Sequence, residues 1–164
     1  MLLREDETIR KRKIDTFMAI LIGIDPGENT GFAVYDTRKQ SLIQVDTLPL
    51  WKALEEVKRW HYNCTALCMT LRVVFEDARQ RTWFPRERTN AEYRGRLMGA
   101  GAAKRDARIW EEYLTAQGIP FEARKPAAGQ TKWSADYWKR ITGWTGRTSN
   151  HARDAALLVF GRTK

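Results

Sequence analysis

The chain has 164 residues, 43% hydrophobic and 30% charged, which suits one ordinary globular domain with a buried core and excludes two full domains or a disordered tail. Its longest clean apolar stretch, Phe17 to Ile24, falls far short of the roughly twenty residues of a membrane span; although Lys11-Arg12-Lys13 precedes it, it runs into Asp25-Pro26-Gly27 with no small-residue cleavage site, so neither membrane insertion nor export is expected. The net charge of +9 points towards an acidic partner instead.

Residues 1–17 carry mixed charge without apolar periodicity and read as a flexible basic arm ahead of a single domain over 18–164. Met18 to Asp25 is nearly continuous apolar sequence ending in Pro-Gly, as in a strand buried on both faces. Gly31 to Asp36 and Ser41 to Asp46 alternate as strands, with Thr37 to Gln40 as the turn, which predicts a three-stranded antiparallel start. Leu50 to Met69 has helical apolar spacing. It contains Cys64 and Cys68, the only cysteines, whose offset of four argues against a disulfide scaffold or a CxxC metal site. Arg72 to Glu76 is a short β-branched strand ending in an acid, and Thr82 to Arg88, with Pro85, reads as a loop. A long helix is predicted from Asn90 to Gln117, stopped by Gly118-Ile119-Pro120. Its small residues from Gly95 to Ala103 would let another helix approach closely. Pro120 to Ala123 is a short strand, and Thr131 to Ile141 and Asn150 to Phe160 are the last helices. The order βββαβαβαα implies one α/β domain with a mixed sheet.

The charge is concentrated. Arg79 to Arg108 holds nine basic and three acidic residues, and Arg124 to Arg147 six and one, so these stretches carry +6 and +5 and leave −2 for the remainder. Such clustering fits a phosphate-binding surface, because each neutralised phosphate releases counterions. Trp83 and Phe84 lie among Arg79, Arg81, Arg86 and Arg88. Rings amid arginines can stack on unpaired bases, which makes these six residues candidate nucleic-acid contacts.

Four residues form the candidate chemical centre. Asp25 ends the first apolar strand, Glu76 closes Val73-Val74-Phe75, and His151 and Asp154 sit three apart on one face of the last helix. Carboxylates brought together raise one another's pKa, a penalty that a divalent cation removes. Magnesium takes oxygen ligands and keeps positions for phosphate and water, and two such ions can activate a water and stabilise the leaving oxygen of a phosphodiester. Two other motifs fall away. Gly23 to Gly31 lacks the Gly-Lys-Ser/Thr of a Walker loop, and Gly99-Ala100-Gly101 lies inside a helix rather than between strand and helix.

At these residues the chain resembles a known family. Ile22-Gly23-Ile24-Asp25-Pro26-Gly27 followed by Thr30-Gly31-Phe32-Ala33-Val34 is similar to the opening strand and hairpin of the RuvC-type Holliday junction resolvases, members of the RNase H-like superfamily. Val74-Phe75-Glu76 matches that family's second acidic strand, and Asn150-His151-Ala152-Arg153-Asp154-Ala155-Ala156 its closing helix. Order and spacing agree across about residues 18–160. The resemblance implies an RNase H-like mixed sheet flanked by helices, a homodimer, and paired symmetrical nicking of four-way DNA junctions with Mg2+ or Mn2+, two ions per active site. Asp25, Glu76, His151 and Asp154 would hold the metals, with Asp25 bridging them. The dimer helix falls on roughly Asn90 to Gln117, and Lys125 and Lys132 match the catalytic-side lysines that also contact DNA. The family's junction-opening aromatic follows the second acid by a few residues; Arg79 stands near that place, with Trp83 and Phe84 just beyond. A divergent phage or bacterial form, acting in the bacterial or infected-host cytoplasm, fits the short chain and the extra residues before Met18.

Two other readings share these residues. One is a nuclease of the same fold acting on other branched DNA or on RNA–DNA hybrids, which a 2′-hydroxyl requirement would reveal. The other is a junction-binding protein without catalysis, whose binding would survive chelation without any cleavage.

Overall fold

In a computed structural model the chain is described over residues 19–81, 90–126 and 133–163, with the helical backbone alone for 90–93 and 96. The arm at 1–17, the loop expected at Thr82 to Arg88 and the predicted helix start at Thr131 lie outside the described residues.

Five strands form one sheet. The first three are β1 (Ala19–Asp25), β2 (Asn29–Asp36) and β3 (Ser41–Pro49), joined antiparallel as the alternating pattern predicts. Helix α1 (Leu50–Ala66) leads to β4 (Thr70–Glu76), and a 3-10 turn (Ala78–Gln80) precedes the long helix α2 (Asn90–Ala116). Strand β5 (Phe121–Arg124) and helices α3 (Ala135–Thr142) and α4 (Asn150–Leu157) complete the described chain. The sheet order is β3-β2-β1-β4-β5, with β4 parallel to both β1 and β5. The first strand is therefore central, which explains its lack of alternation.

The two faces divide by residue parity. Ile20, Ile22 and Ile24 of β1 and Val73 and Phe75 of β4 pack beneath α1 and α2, against Val57, Trp110 and Leu114. Leu21 of β1 and Val74 of β4 face the other way, towards Trp138 of α3 and Ala152, Ala155 and Ala156 of α4. Each fully buried large apolar side chain contributes about 1.5–3 kcal/mol of transfer free energy, so both layers are needed to hold the sheet.

Three helix ends differ from the sequence expectation. Helix α1 stops at Ala66 rather than Met69, because Cys68 turns left-handed (φ 53) and the Met69 N–H reaches back to the Cys64 carbonyl. Cys64 is buried, Cys68 is exposed and both thiols are free. Helix α3 begins only after Ser134, whose hydroxyl accepts from the Tyr137 N–H, and closes at left-handed Gly143. Helix α4 gives way at Leu158 to a turn that ends at Gly161, also left-handed. Among the described residues no helix is long and apolar enough to cross a membrane.

The corner between β4 and α2 is held electrostatically. Arg79 donates to Asp77, which is 4% exposed, and to Glu111 of α2 at 2.6 Å. Burial pushes the Asp77 carboxyl up, but the hydrogen bonds and charge of Arg79, with Gln80, outweigh it and leave the group below its ordinary value of 3.8. A depressed folded-state pKa adds stability that is present above the unfolded value and lost as pH falls through the folded one. Arg79→Met should therefore cost about 1–3 kcal/mol near neutral pH. Thermal denaturation against pH should show that deficit shrinking below about pH 4, whereas a deficit that grows on acidification would contradict the assignment.

Candidate active site

The edge where β1 and β4 end is set by the glycines of the opening motif. A Cβ on Gly23 would lie 2.0 Å from the Ala155 carbonyl oxygen, and one on Gly31 would lie 2.0 Å from that of His151. Only glycine lets the backbone of α4 rest directly on β1 and β2. Asp25 pairs with Gly31 in the register, so this contact delivers the first turn of α4 to Asp25. There His151 Nδ1 stands 2.7 Å from Asp25 Oδ2 and donates to it. Thr30, fully buried, donates to the Gly27 carbonyl at 2.6 Å and holds the turn that follows Asp25.

The second carboxylate arrives from the neighbouring strand. Ile24 pairs with Phe75, and one more step of the parallel register sets Asp25 beside Glu76. Both follow the parity of the α4 side of the sheet, and both are half-buried. They line one cavity of about 540 Å³. Open α/β sheets commonly bind ligands outside the carboxyl ends of parallel strands, where the strand order reverses, and β1/β4 is that place here.

The turn that places His151 is itself braced. Ser149 caps α4 by accepting from the Ala152 N–H and shares a 2.5 Å hydroxyl contact with Thr47 of β3. Arg153, 8% exposed, donates to the Thr148 carbonyl and hydroxyl and to Asn150 Oδ1, so its guanidinium braces the turn. Asp154 lies three residues after His151 on the same helix and is half-buried. Neither His151 nor Asp154 is among the described residues lining the Asp25–Glu76 cavity.

Of the predicted nucleic-acid contacts, exposed Arg81 lines the cavity, while Arg79 is engaged by Asp77 and Glu111. Exposed Lys125 directly follows Arg124, the β5 partner of Glu76, and so belongs to the same sheet edge. Trp83, Phe84, Arg86, Arg88 and Lys132 lie outside the described residues. Sequence reasoning missed the far wall: Gly95, Gly99, Ala100, Ala103 and Lys104 of α2 line the cavity with the carboxylates. The signal is present in the offsets 95, 99 and 103, which share one helical face.

Among the described residues no three His, Cys, Asp or Glu side chains form a ready-made cage for an ion. Asp25 and Glu76, side by side at the strand ends and both lining one cavity, nonetheless supply the donor type that fits magnesium or manganese, since magnesium commonly binds through one or two carboxylates and keeps its remaining positions for water and substrate phosphate. No family model matches the chain, and no curated protein sequence matches it.

Proposed function

We propose that the protein is a divalent-metal-dependent, structure-selective endonuclease acting on four-way DNA junctions, with an RNase H-like fold. The observation that carries this reading is the meeting of Asp25 and Glu76, from two parallel strand ends, in one cavity that Arg81 and Lys104 also line. Carboxylates alone would repel a phosphodiester. The two cations draw in the backbone, and the carboxylates provide oxygen ligands for metal.

Asp25 and Glu76 would hold the metal, with His151 and Asp154 at the α4 side of the same edge. A divalent cation there supplies a polarised phosphoryl oxygen and a water acidic enough to attack near neutral pH. His151 fixes the rotamer of Asp25 through Nδ1, so one carboxylate oxygen is already committed and the group keeps a single orientation. Arg81 and Lys125 add positive charge at the rim, which positions phosphate without reading sequence.

Homodimerisation belongs to the same reading, because two copies match a two-fold junction. Leu97 (51% exposed) and Met98 (78% exposed) are large apolar side chains on α2 and the natural candidates for burial against a second copy. Met98→Glu should weaken self-association by roughly tenfold or more in analytical ultracentrifugation. A wild-type chain that sediments as a monomer at every concentration would contradict the dimer.

Substrate choice is tested by competition in chelator, with labelled junction challenged by unlabelled linear duplex, fork and RNA–DNA hybrid. The junction reading expects only unlabelled junction to compete efficiently. Equal competition by the fork or the hybrid would move the activity to those substrates.

A further inference from the structure

We infer that the outer face of α1 is a self-complementary surface that pairs, antiparallel, with the same face of a second copy of this chain, in a contact separate from that of α2. The inference stands independently of the nuclease reading.

Trp51, Glu55, Lys58 and Tyr62 follow one another along α1 at offsets of four, three and four, and at about 3.6 residues per turn they form one stripe. All four are exposed, while Ala53, Val57 and Cys64 of the same helix sink into the core on the other side. Trp51 is 63% exposed and Tyr62 74%, although a surface helix ordinarily turns such rings towards the core. Neither ring packs against another aromatic ring among the described residues. The fold of one copy therefore gives these two side chains nothing to cover them.

The stripe reads the same from both ends. The midpoint of Trp51 and Tyr62 falls between Glu56 and Val57, and so does the midpoint of Glu55 and Lys58. A two-fold axis at that point sets Trp51 against Tyr62 of the partner subunit and Glu55 against Lys58 of the partner subunit, each contact made twice. The rings then stand about 8 Å to either side of the crossing, which a shallow packing angle of about 20° keeps within reach. Glu56 is already paired with Arg59 inside the helix, whereas no ion pair engages Glu55 or Lys58 among the described residues.

Charge singles out a second copy as the occupant. Helix α1 holds Lys52, Lys58 and Arg59 against Glu55 and Glu56, a net +1 in a chain of +9, and it lies outside both basic stretches. It is thus a place where two strongly basic chains can meet without repulsion, and one with little pull on a polyanion. Four rings at about 150–250 Å² each cover roughly 600–1,000 Å², less than the roughly 1,200–2,000 Å² of a standard interface. The contact is therefore weak and reversible, and grows with concentration.

The test is analytical ultracentrifugation of the full chain carrying Met98→Glu, so that the α2 contact contributes least. Glu55→Lys and Lys58→Glu each create two like-charge pairs and should weaken the remaining self-association by roughly tenfold. The double variant Glu55→Lys/Lys58→Glu restores opposite charges across the axis and should return to within about twofold of its parent. Trp51→Ala should weaken association by roughly tenfold or more. These side chains are exposed, so all the variants should melt close to the parent temperature.

A Met98→Glu chain that is monomeric at every concentration would overturn the inference, as would unchanged association in Trp51→Ala or in the single reversals. Two weakened single variants with no recovery in the double would assign the face to an occupant other than a second copy, and would overturn it as well.

Discussion

Asp25→Asn should abolish junction cleavage while leaving junction binding in chelator intact or tighter. Asparagine keeps the shape of the side chain and can still take part in a hydrogen bond with His151, so the contact that docks the first turn of α4 persists. What disappears is a negative charge at the centre of the site. Charge stabilisation by a metal is worth several kcal/mol, and each 1.36 kcal/mol is tenfold in rate, so the expected loss is on the order of a thousandfold or more. Binding moves the other way, because removing a carboxylate from a cavity that must admit a phosphate relieves repulsion. Parallel gel-shift and cleavage assays separate the two effects. Cleavage within tenfold of wild type would remove Asp25 from the metal site, and a joint loss of binding and cleavage would indicate a damaged fold instead.

Gly23→Ala, like Gly31→Ala, should be among the most destabilising single-methyl changes in the described core. The Cβ at position 23 would stand 2.0 Å from the Ala155 carbonyl oxygen and 3.0 Å from that residue's carbonyl carbon, and backbone on both sides cannot swing away as a side-chain tip can. Central strand and α4 would have to separate, opening the layer that holds Leu21, Val74 and Trp138. Overpacking usually costs about 1–3 kcal/mol, and a rigid backbone contact belongs at or beyond the top of that range. For a chain of this size that is roughly 6–12 °C in melting temperature. The contrast with Gly99→Ala is the sharper check: one glycine is required by contact, a Cβ on the other would meet nothing within 4 Å among the described residues, and the two substitutions should shift stability in opposite directions. A loss below about 0.5 kcal/mol in Gly23→Ala would mean that α4 does not rest on β1 as described.

Much of this architecture was legible in the amino-acid sequence because its signals are local. The uninterrupted apolar run of β1 marked the centre of the sheet, and the long helix was bounded to within a residue of Asn90–Ala116 by Gly118 and Pro120. The strand-end positions of Asp25 and Glu76 were readable in the same way, and the parallel β1/β4 register puts them side by side. What the chain could not disclose locally was which wall each half of α2 presents. Ala107, Trp110 and Leu114 sink into the core in one half, while Gly95, Gly99 and Lys104 overhang the cavity in the other. That division depends on where the helix crosses the sheet, which no periodicity contains. The fate of Arg79 was hidden for a related reason. A basic stretch advertises phosphate binding, yet Asp77 and Glu111 take this arginine into a corner brace, and Glu111 lies 32 residues away in the chain. The early stop of α1 turns on Cys68 adopting a left-handed backbone, which non-glycine residues rarely do and composition does not signal.

The most direct test of the metal-dependent nuclease reading is nicking of a labelled, immobile four-way DNA junction by chelator-treated protein, before and after Mn2+ is restored. The expected result is no product in chelator and paired, symmetrically placed nicks on the junction once the ion is present, with linear duplex left whole. Nicks that persist in chelator would contradict the role given to Asp25 and Glu76, and a junction bound but left uncut with Mn2+ or Mg2+ would make the protein a binder of branched DNA rather than an enzyme.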